Sequence, residues 1–368
     1  MEDTFLYADD LGPEKIIEIY DPSAGLKAIL VVDNVAAGPS IGGLRMATDV
    51  SKEECFRLAR AMTLKNAMAG LAHGGGKSVL FGDPAMPAAD KERLVRAFAY
   101  AVKDVADYIT GPDMGTDEAL MACVKDMNGR AVGLPREIGG IPLDEIGATG
   151  YGLSVALQVA QRYSDLYLDG GAVVVQGFGS VGQHAARYLA EQGARLVGVS
   201  DSHGARVAAD GFDIDALMAH KQAGGSVADF NAGTTIAPED LIAVECDVWI
   251  PAARPDVITE ANAPRMHARV VAQGANIPAS AAAEQILAER GILVIPDFVA
   301  NAGGVICAAV EYHQGNETLA MATIAEKIQN NVAAVLARVA DTGALPRTVA
   351  LEIARERVRQ AMSFRRTS

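Results

Sequence analysis

Val173-Val174-Val175-Gln176-Gly177-Phe178-Gly179-Ser180-Val181-Gly182 is the stretch on which the fold turns. Three successive valines predict a buried strand, and from Val181 to Gln192 apolar side chains recur three and four apart, the period of a helix. Between them the glycines fall as G-x-G-x-x-G. After a strand and before a helix, this pattern is a cradle for a dinucleotide pyrophosphate. Gly177 permits the tight turn, Gly179 admits phosphate close to the backbone, and Gly182 lets helix and strand approach. The helix start at Ser180 and Val181 adds N–H groups and a partial positive charge, so Gly177 through Gly182, Phe178 included, is the expected cofactor turn.

The next strand, Arg195 to Val199, ends at Ser200-Asp201, about where a carboxylate accepts from the adenosine ribose. Asp201 favours NAD by repelling a 2′-phosphate, whereas Ser202, His203 and Arg206 offer partners for one. NAD is the expected cofactor and NADP stays open.

Working outward, β-branched runs at Ala28–Val32, Ala172–Val175, Asp247–Ile250, Arg269–Ala272 and Ile292–Ile295 alternate with helical stretches such as Glu53–Ala69, Lys91–Val105 and Ala148–Ala160. Such alternation predicts an α/β protein with largely parallel sheets. Glycine and proline at 133–142 break the periodicity and suggest a boundary. With 368 residues the chain accommodates two domains, here drawn as 141–329 for the dinucleotide domain and 1–140 with 330–368 for the other.

Composition excludes several classes of function. A net charge of −14 repels nucleic acid and anionic lipid. No apolar run is long enough to span a bilayer, and no leader pattern stands at the N-terminus. The four cysteines lack C-x-x-C spacing, which suits a reduced, cytoplasmic protein. Six scattered histidines without paired-ligand spacing give no reason to expect a protein-bound metal.

The first half carries a second constellation: Gly42-Gly43-Leu44-Arg45, Met62-Thr63-Leu64-Lys65-Asn66 and Gly74-Gly75-Gly76-Lys77. Gly76-Lys77-Ser78 invites a phosphate-loop reading, but Leu71 stands where that motif needs glycine. Lys65 lies in an otherwise small and apolar helix, so it either reaches solvent or meets a buried anion such as a substrate carboxylate. Lys77, at the end of a glycine run that leaves it unshielded, is either a surface lysine or a general base that substrate can approach closely. Asp113, between Gly111 and Gly115, is either a turn former or a proton carrier.

Taken together these segments resemble the glutamate/leucine/phenylalanine/valine dehydrogenase superfamily over nearly the whole chain. Asp113-Met114-Gly115-Thr116, Ala148-Thr149-Gly150-Tyr151-Gly152, Gly274-Ala275-Asn276-Ile277-Pro278 and Pro296-Asp297-x-x-x-Asn301-Ala302-Gly303-Gly304-Val305 complete the match. The resemblance implies two domains separated by a cleft, a Rossmann-type dinucleotide domain and an α/β substrate and oligomerisation domain, to which the helical C-terminus returns. It implies a homo-oligomer that interconverts an L-amino acid with its 2-oxo acid and ammonia. Lys65, helped by the backbone at Gly43, would bind the α-carboxylate. Lys77 would activate water after hydride leaves the α-carbon, and Asp113 would shuttle protons. Thr149 and Asn276 would contact cofactor near its nicotinamide, and Asn301 would hold substrate or cofactor.

For the substrate side chain, glutamate enzymes of this family place a lysine just before the Gly-Gly pair and a serine three residues past the valine of Asn-Ala-Gly-Gly-Val. Here those positions are Ile41 and Ala308. With Val305 and the small Gly111 they resemble the apolar lining of branched-chain and aromatic enzymes, so leucine or phenylalanine dehydrogenases are the nearer pattern. Val310-Glu311-Tyr312-His313-Gln314 instead resembles glutamate enzymes, which keeps glutamate as the alternative. A 2-hydroxy-acid dehydrogenase would need a histidine–carboxylate pair, and none stands out. A non-catalytic nucleotide-binding regulator would tolerate loss of Lys77 or Asp113, and both are present.

Overall fold

The strands and helices foreseen above are realised around two separate sheets. The structure, a computed structural model, describes residues 6–365. The chain forms two compact units. Among the described residues one comprises 6–142, 305–320 and 351–365, and the other 143–304 and 321–350.

In the first unit the strands are β1 (Lys15–Asp21), β2 (Leu26–Asn34), β3 (Ser40–Ala47), β4 (Gly74–Phe81) and β5 (Tyr108–Pro112), ordered β1-β2-β4-β3-β5. Helix α1 (Lys52–Met68) lies between β3 and β4 in sequence, α2 (Ala88–Ala101) precedes β5, and α3 (Glu118–Asn128) follows it. The expectation of largely parallel sheets fails here, because β1–β2 and β2–β4 are antiparallel. A four-residue turn, Pro22 to Gly25, joins β1 to β2, and so short a link permits only a hairpin. Only β3 pairs in parallel with β4 and β5.

Strand β2 is buried along almost its whole length because both sheet faces are covered. Leu30, Val32, Leu44 and Leu80 pack with Phe98 of α2 and Met121 of α3. Ile29, Val31 and Val79 meet Cys55 and Ala59 of α1 on the opposite face. Each such side chain removed from water contributes about 1.5–3 kcal/mol. The start of α1 is fixed by Ser51, whose hydroxyl accepts from Glu54 N at 3.1 Å, with Glu53 and Glu54 in the first turn.

The second unit opens with α4 (Ala148–Ala160). It then alternates β6 (Ala172–Gln176), α5 (Ser180–Ala190), β7 (Arg195–Asp201), β8 (Gly204–Val207), α6 (Ile214–Gln222), β9 (Thr234–Ile236), β10 (Val248–Pro251), β11 (Val270–Ala272), α7 (Ala281–Glu289) and β12 (Leu293–Ile295). Its seven-stranded sheet runs β12-β11-β10-β6-β7-β8-β9, parallel from β12 to β7. Strand order reverses between β6 and β10, and such a switch point leaves a crevice at the carboxyl ends of the strands.

A short helix α8 (Asp297–Ala300) is followed by α9 (Gly303–Tyr312), α10 (Glu317–Thr342) and α11 (Pro346–Phe364). The domain reading gave 330–368 to the first domain, whereas 321–350 is part of the second compact unit. Side-chain packing explains this. Gly152 of α4 leaves room for Ile328, Tyr163 Oη donates to the Ala333 carbonyl at 3.4 Å, and Arg347 pairs with Glu284. Among the described residues no helix is long and apolar enough to cross a membrane.

Candidate active site

The glycine run of β4 is spent on close packing. A side chain at Gly75 would collide with the backbone of Thr63 in α1, and one at Gly76 would press on Ser40 and the Tyr108 ring. A carbonyl, that of Asn34, fills the space at Gly74. The expectation that these glycines leave Lys77 unshielded and open to a close approach by substrate is therefore corrected. They let α1 and the neighbouring strands close over the lysine, which is only 6% exposed.

Register then assembles the site. Ile41 pairs with Gly75 and Leu44 with Ser78, which sets Gly43 beside Lys77, while Gly43 pairs with Gly111 on the other side. Lys77, Gly43 and Gly111 thus form one row across β4, β3 and β5, on the sheet face covered by α1. A Cβ at Gly43 would lie 2.8 Å from Asp113 Cβ and 3.2 Å from Lys77 Nζ. Without it, Lys77 Nζ reaches Asp113 Oδ2 at 2.5 Å.

Asp113 stands on the turn that follows β5. Thr116 fixes that turn, its hydroxyl accepting from Asp113 N at 2.9 Å and donating to the Leu44 carbonyl at 2.8 Å. Arg45, quoted in the sequence motif without a role, is the residue that reading missed. Its Nε donates to Asp113 Oδ2 at 3.0 Å and its Nη1 to Glu54 Oε1 at 2.6 Å. The available signal was alternation, since Arg45 follows Gly43 by two and shares its face. Burial works to raise the Asp113 pKa, but Lys77 and Arg45 outweigh it and hold the carboxyl below its usual range. Asp113 is therefore held in its ionised form, facing both the Lys77 ammonium and the Arg45 guanidinium.

Lys65 is half-buried near the end of α1, beside Asn66, whose Nδ2 donates to the Gly74 carbonyl at 2.7 Å. Ile41 is 3% exposed and stands two residues before Gly43 on the same face. Val305 and Ala308 lie three apart on α9, and that helix is anchored by Glu311, whose carboxylate accepts from Ile141 N at 2.8 Å and Leu134 N at 3.2 Å. Burial pushes the Glu311 carboxyl up, against the lowering effect of those N–H groups. Glu311 is thus accounted for by structure, without a substrate.

In the second unit the fingerprint closes as foreseen. Gly177 has φ +100° and backs onto Ala253, where a side chain could not fit. A Cβ at Gly179 would meet nothing within 4 Å, so the backbone at the N-terminus of α5 is open to approach there. Ser180 is exposed at that helix start, Val181 is half-buried, and Gly182 packs over the Gly177 carbonyl. These residues suit a dinucleotide. Phe178 is a correction: its side chain is 1% exposed and its N–H is held by the Ser200 carbonyl at 2.8 Å, so its part is packing.

Asp201 is turned into the protein more than expected. Oδ2 accepts from Lys221 Nζ at 2.6 Å and Val227 N at 2.8 Å, and Oδ1 from His203 N at 2.9 Å. Arg206, considered as a phosphate partner, is spent on the carbonyls of Ala228, Ala232 and Gly233. Ser202 and His203, the other two side chains that could meet a 2′-phosphate, are exposed. Thr149 packs at the start of α4 against Gly304, and Asn301 donates to Asn276 Oδ1 at 3.0 Å and to the Gly274 carbonyl at 3.2 Å. Among the described residues no cluster of three or more His, Cys, Asp or Glu side chains is arranged to hold a metal ion.

A doubly wound sheet bearing this fingerprint, in a chain that also buries a lysine against a carboxylate, defines a dinucleotide-dependent dehydrogenase. Residues 13–129 match the family model for the Glu/Leu/Phe/Val dehydrogenase dimerisation domain, and residues 139–366 match the model for Glutamate/Leucine/Phenylalanine/Valine dehydrogenase. The chain belongs to this amino-acid dehydrogenase family. It is 38% identical to a glutamate dehydrogenase of Aeropyrum pernix, over 76% of this chain and 70% of that protein. It is 37% identical to the NADP-specific glutamate dehydrogenase of Saccharolobus shibatae, over 76% and 69%, and 36% identical to the NAD-specific enzyme of Staphylococcus aureus strain COL, over 77% and 71%. In structure it resembles the Leu-bound hetero-hexameric glutamate dehydrogenase of Thermus thermophilus, with a TM-score of 0.84, 29% identity, and coverage of 97% of this chain and 91% of that one. The L-tryptophan dehydrogenase of Nostoc punctiforme gives 0.75 at 25% identity, covering 96% and 98%.

Proposed function

We propose that the chain catalyses NAD(P)-dependent oxidative deamination of an L-amino acid to its 2-oxo acid and ammonia. The observation that carries this reading is the 2.5 Å contact between a buried Lys77 and Asp113 beside Gly43. The bound nicotinamide would supply the acceptor for hydride from the substrate α-carbon. The fingerprint turn at Gly177, Gly179 and Gly182 would hold its pyrophosphate, with Ser180 at the helix start and Thr149 and Asn276 toward the other end.

The protein's own groups divide the remaining work. Lys65 would bind the α-carboxylate, helped by the backbone at Gly43. Lys77 Nζ would orient and deprotonate the water that adds to the α-carbon. Asp113 Oδ2 would take a proton from Lys77 or the substrate amine and return it to the departing ammonia. Arg45, fixed by Glu54, would keep Asp113 facing Lys77 through the cycle.

Glutamate is the substrate favoured by the names of the relatives. A second reading, an apolar amino acid, rests on one specific observation. Ile41 is a buried hydrocarbon on the face that bears Lys77, and its own side chain offers no charge to pair with a substrate side-chain carboxylate. Ala308 and Val305 extend that reading, Gly111 leaves space for a larger group, and the tryptophan enzyme's similarity accords with it. Self-association through the segment matched to the dimerisation model, giving a homo-oligomer, is part of the proposal. Absorbance at 340 nm over a panel of twenty L-amino acids, run with NAD and with NADP, tests it. Glutamate alone turning over supports the first reading, leucine or an aromatic alone the second. No change with any of the twenty would refute the dehydrogenase proposal.

A further inference from the structure

The loop after β11, Gln273 to Ile277, is held in an unusual way. Ile277 has φ +48°, a left-handed conformation that β-branched residues rarely adopt. Its N–H donates to Asp297 Oδ2 at 2.9 Å. Asp297 Oδ1 lies 2.9 Å from Nη2 of Arg347, and the same Nη2 donates to Gln273 Oε1 at 2.8 Å. Arg347 also donates through Nε to Glu284 Oε2 at 2.8 Å, while Gln273 Nε2 donates to Glu284 Oε1 at 2.8 Å. Asp297 and Glu284 are 5% and 4% exposed, so the one guanidinium faces two buried carboxylates and the loop's first side chain at once. Asn276, the exposed residue next to the strained one, is the group this brace presents.

Topology says which part of a ligand that residue meets. With the pyrophosphate at the N-terminus of α5, a dinucleotide crossing the carboxyl ends of the strands places its adenosine on the β7 side of β6. Its other half falls on the side of β10 and β11, where the loop lies. Strain stored beside a ligand crevice persists only where surrounding contacts over-determine it. The Asp256 N–H holds the Ile277 carbonyl at 3.0 Å, and Arg347 adds a second hold from fifty residues beyond Asp297, on a different helix from either carboxylate.

We propose that Arg347 is a positioning residue for the nicotinamide end of the bound dinucleotide, acting through Asp297 and Gln273 on the loop that presents Asn276. The proposal rests on the dinucleotide reading above. Removing the guanidinium leaves two buried carboxylates without a cation. One of them must take up a proton or swing outward, and the grip of Asp297 on Ile277 N is then weakened. The adenosine side, held by β6 and β7, has no member in this network.

Two ligands separate these effects in the full-length protein: NADH, which spans both halves, and ADP, which lacks the nicotinamide riboside. Binding of each is measured by titration calorimetry to wild type, Arg347→Met and Arg347→Lys. In Arg347→Met the NADH dissociation constant is expected to rise at least about tenfold while that of ADP stays within about twofold. Arg347→Lys, which keeps the charge but not the planar fork, should fall between. Equal weakening of both ligands, or unchanged NADH affinity in a folded variant, would overturn the proposal. Should Arg347→Met not fold, the lysine variant decides alone by the same comparison. A wild type that binds neither ligand would instead remove the dinucleotide reading on which the proposal stands.

Discussion

Lys77 Nζ and Asp113 Oδ2 lie 2.5 Å apart, the lysine rooted in a strand with neighbours on both sides and the aspartate on the turn ending the next strand but one. No side chain stands between them, because the intervening position is Gly43. The contact is therefore set by the sheet, and three expectations follow from it and from the row in which it sits.

Replacing Lys77 by alanine should lower kcat by about 10²–10⁴-fold, the range in which a proton-transferring group contributes. Far-ultraviolet circular dichroism and NADH affinity should stay near wild type, since the dinucleotide elements are elsewhere. Near-normal turnover in that variant would end the role given to Lys77.

Acid stability reports the same pair independently of activity. The carboxyl of Asp113 is held below its usual range despite burial, so its folded pKa is lower than in the unfolded chain. A depressed acid contributes stability that is whole above about pH 4 and is lost as pH falls through the folded value. The difference in urea midpoint between wild type and Asp113→Asn should be widest above that pH and shrink on acidification. A gap that does not change with pH would count against the ion pair.

Substrate choice is approached through Ile41→Lys. If the pocket ends at this side chain, the substitution supplies a cation for a side-chain carboxylate, and kcat/KM for glutamate relative to leucine should rise at least about tenfold. A lysine so buried is costly without an anion. 2-Oxoglutarate should therefore raise the melting temperature of the variant more than that of wild type. An unchanged ratio together with an unchanged thermal response would place the specificity determinant elsewhere.

Much of this was legible in the residues themselves. Val173–Val175 and the spaced glycines gave the dinucleotide turn, and Ala148–Ala160 was bounded at both ends by its periodicity. β4 escaped notice because Gly74, Gly75 and Gly76 contribute no side chains from which a two-residue alternation could be read, and glycine is a poor strand former. Side-chain destinations were the least legible. Nothing local distinguishes an Asp201 that faces a ribose from one gripped by Lys221, and nothing local told that Arg206 would cap three carbonyls. Arg45 was overlooked because its partners, Glu54 and Asp113, lie on a helix and a turn that only the folded sheet brings to it.

The row shared by Lys77, Gly43 and Gly111 also works as a ruler. Two residues along a parallel strand advance about 6.6 Å, so Ile41 stands off from that row by about the reach of a medium-sized side chain. On the proposed roles, chemistry and selectivity would be graduated along one strand, and a change of preference could be made at one mark while the other is left in register.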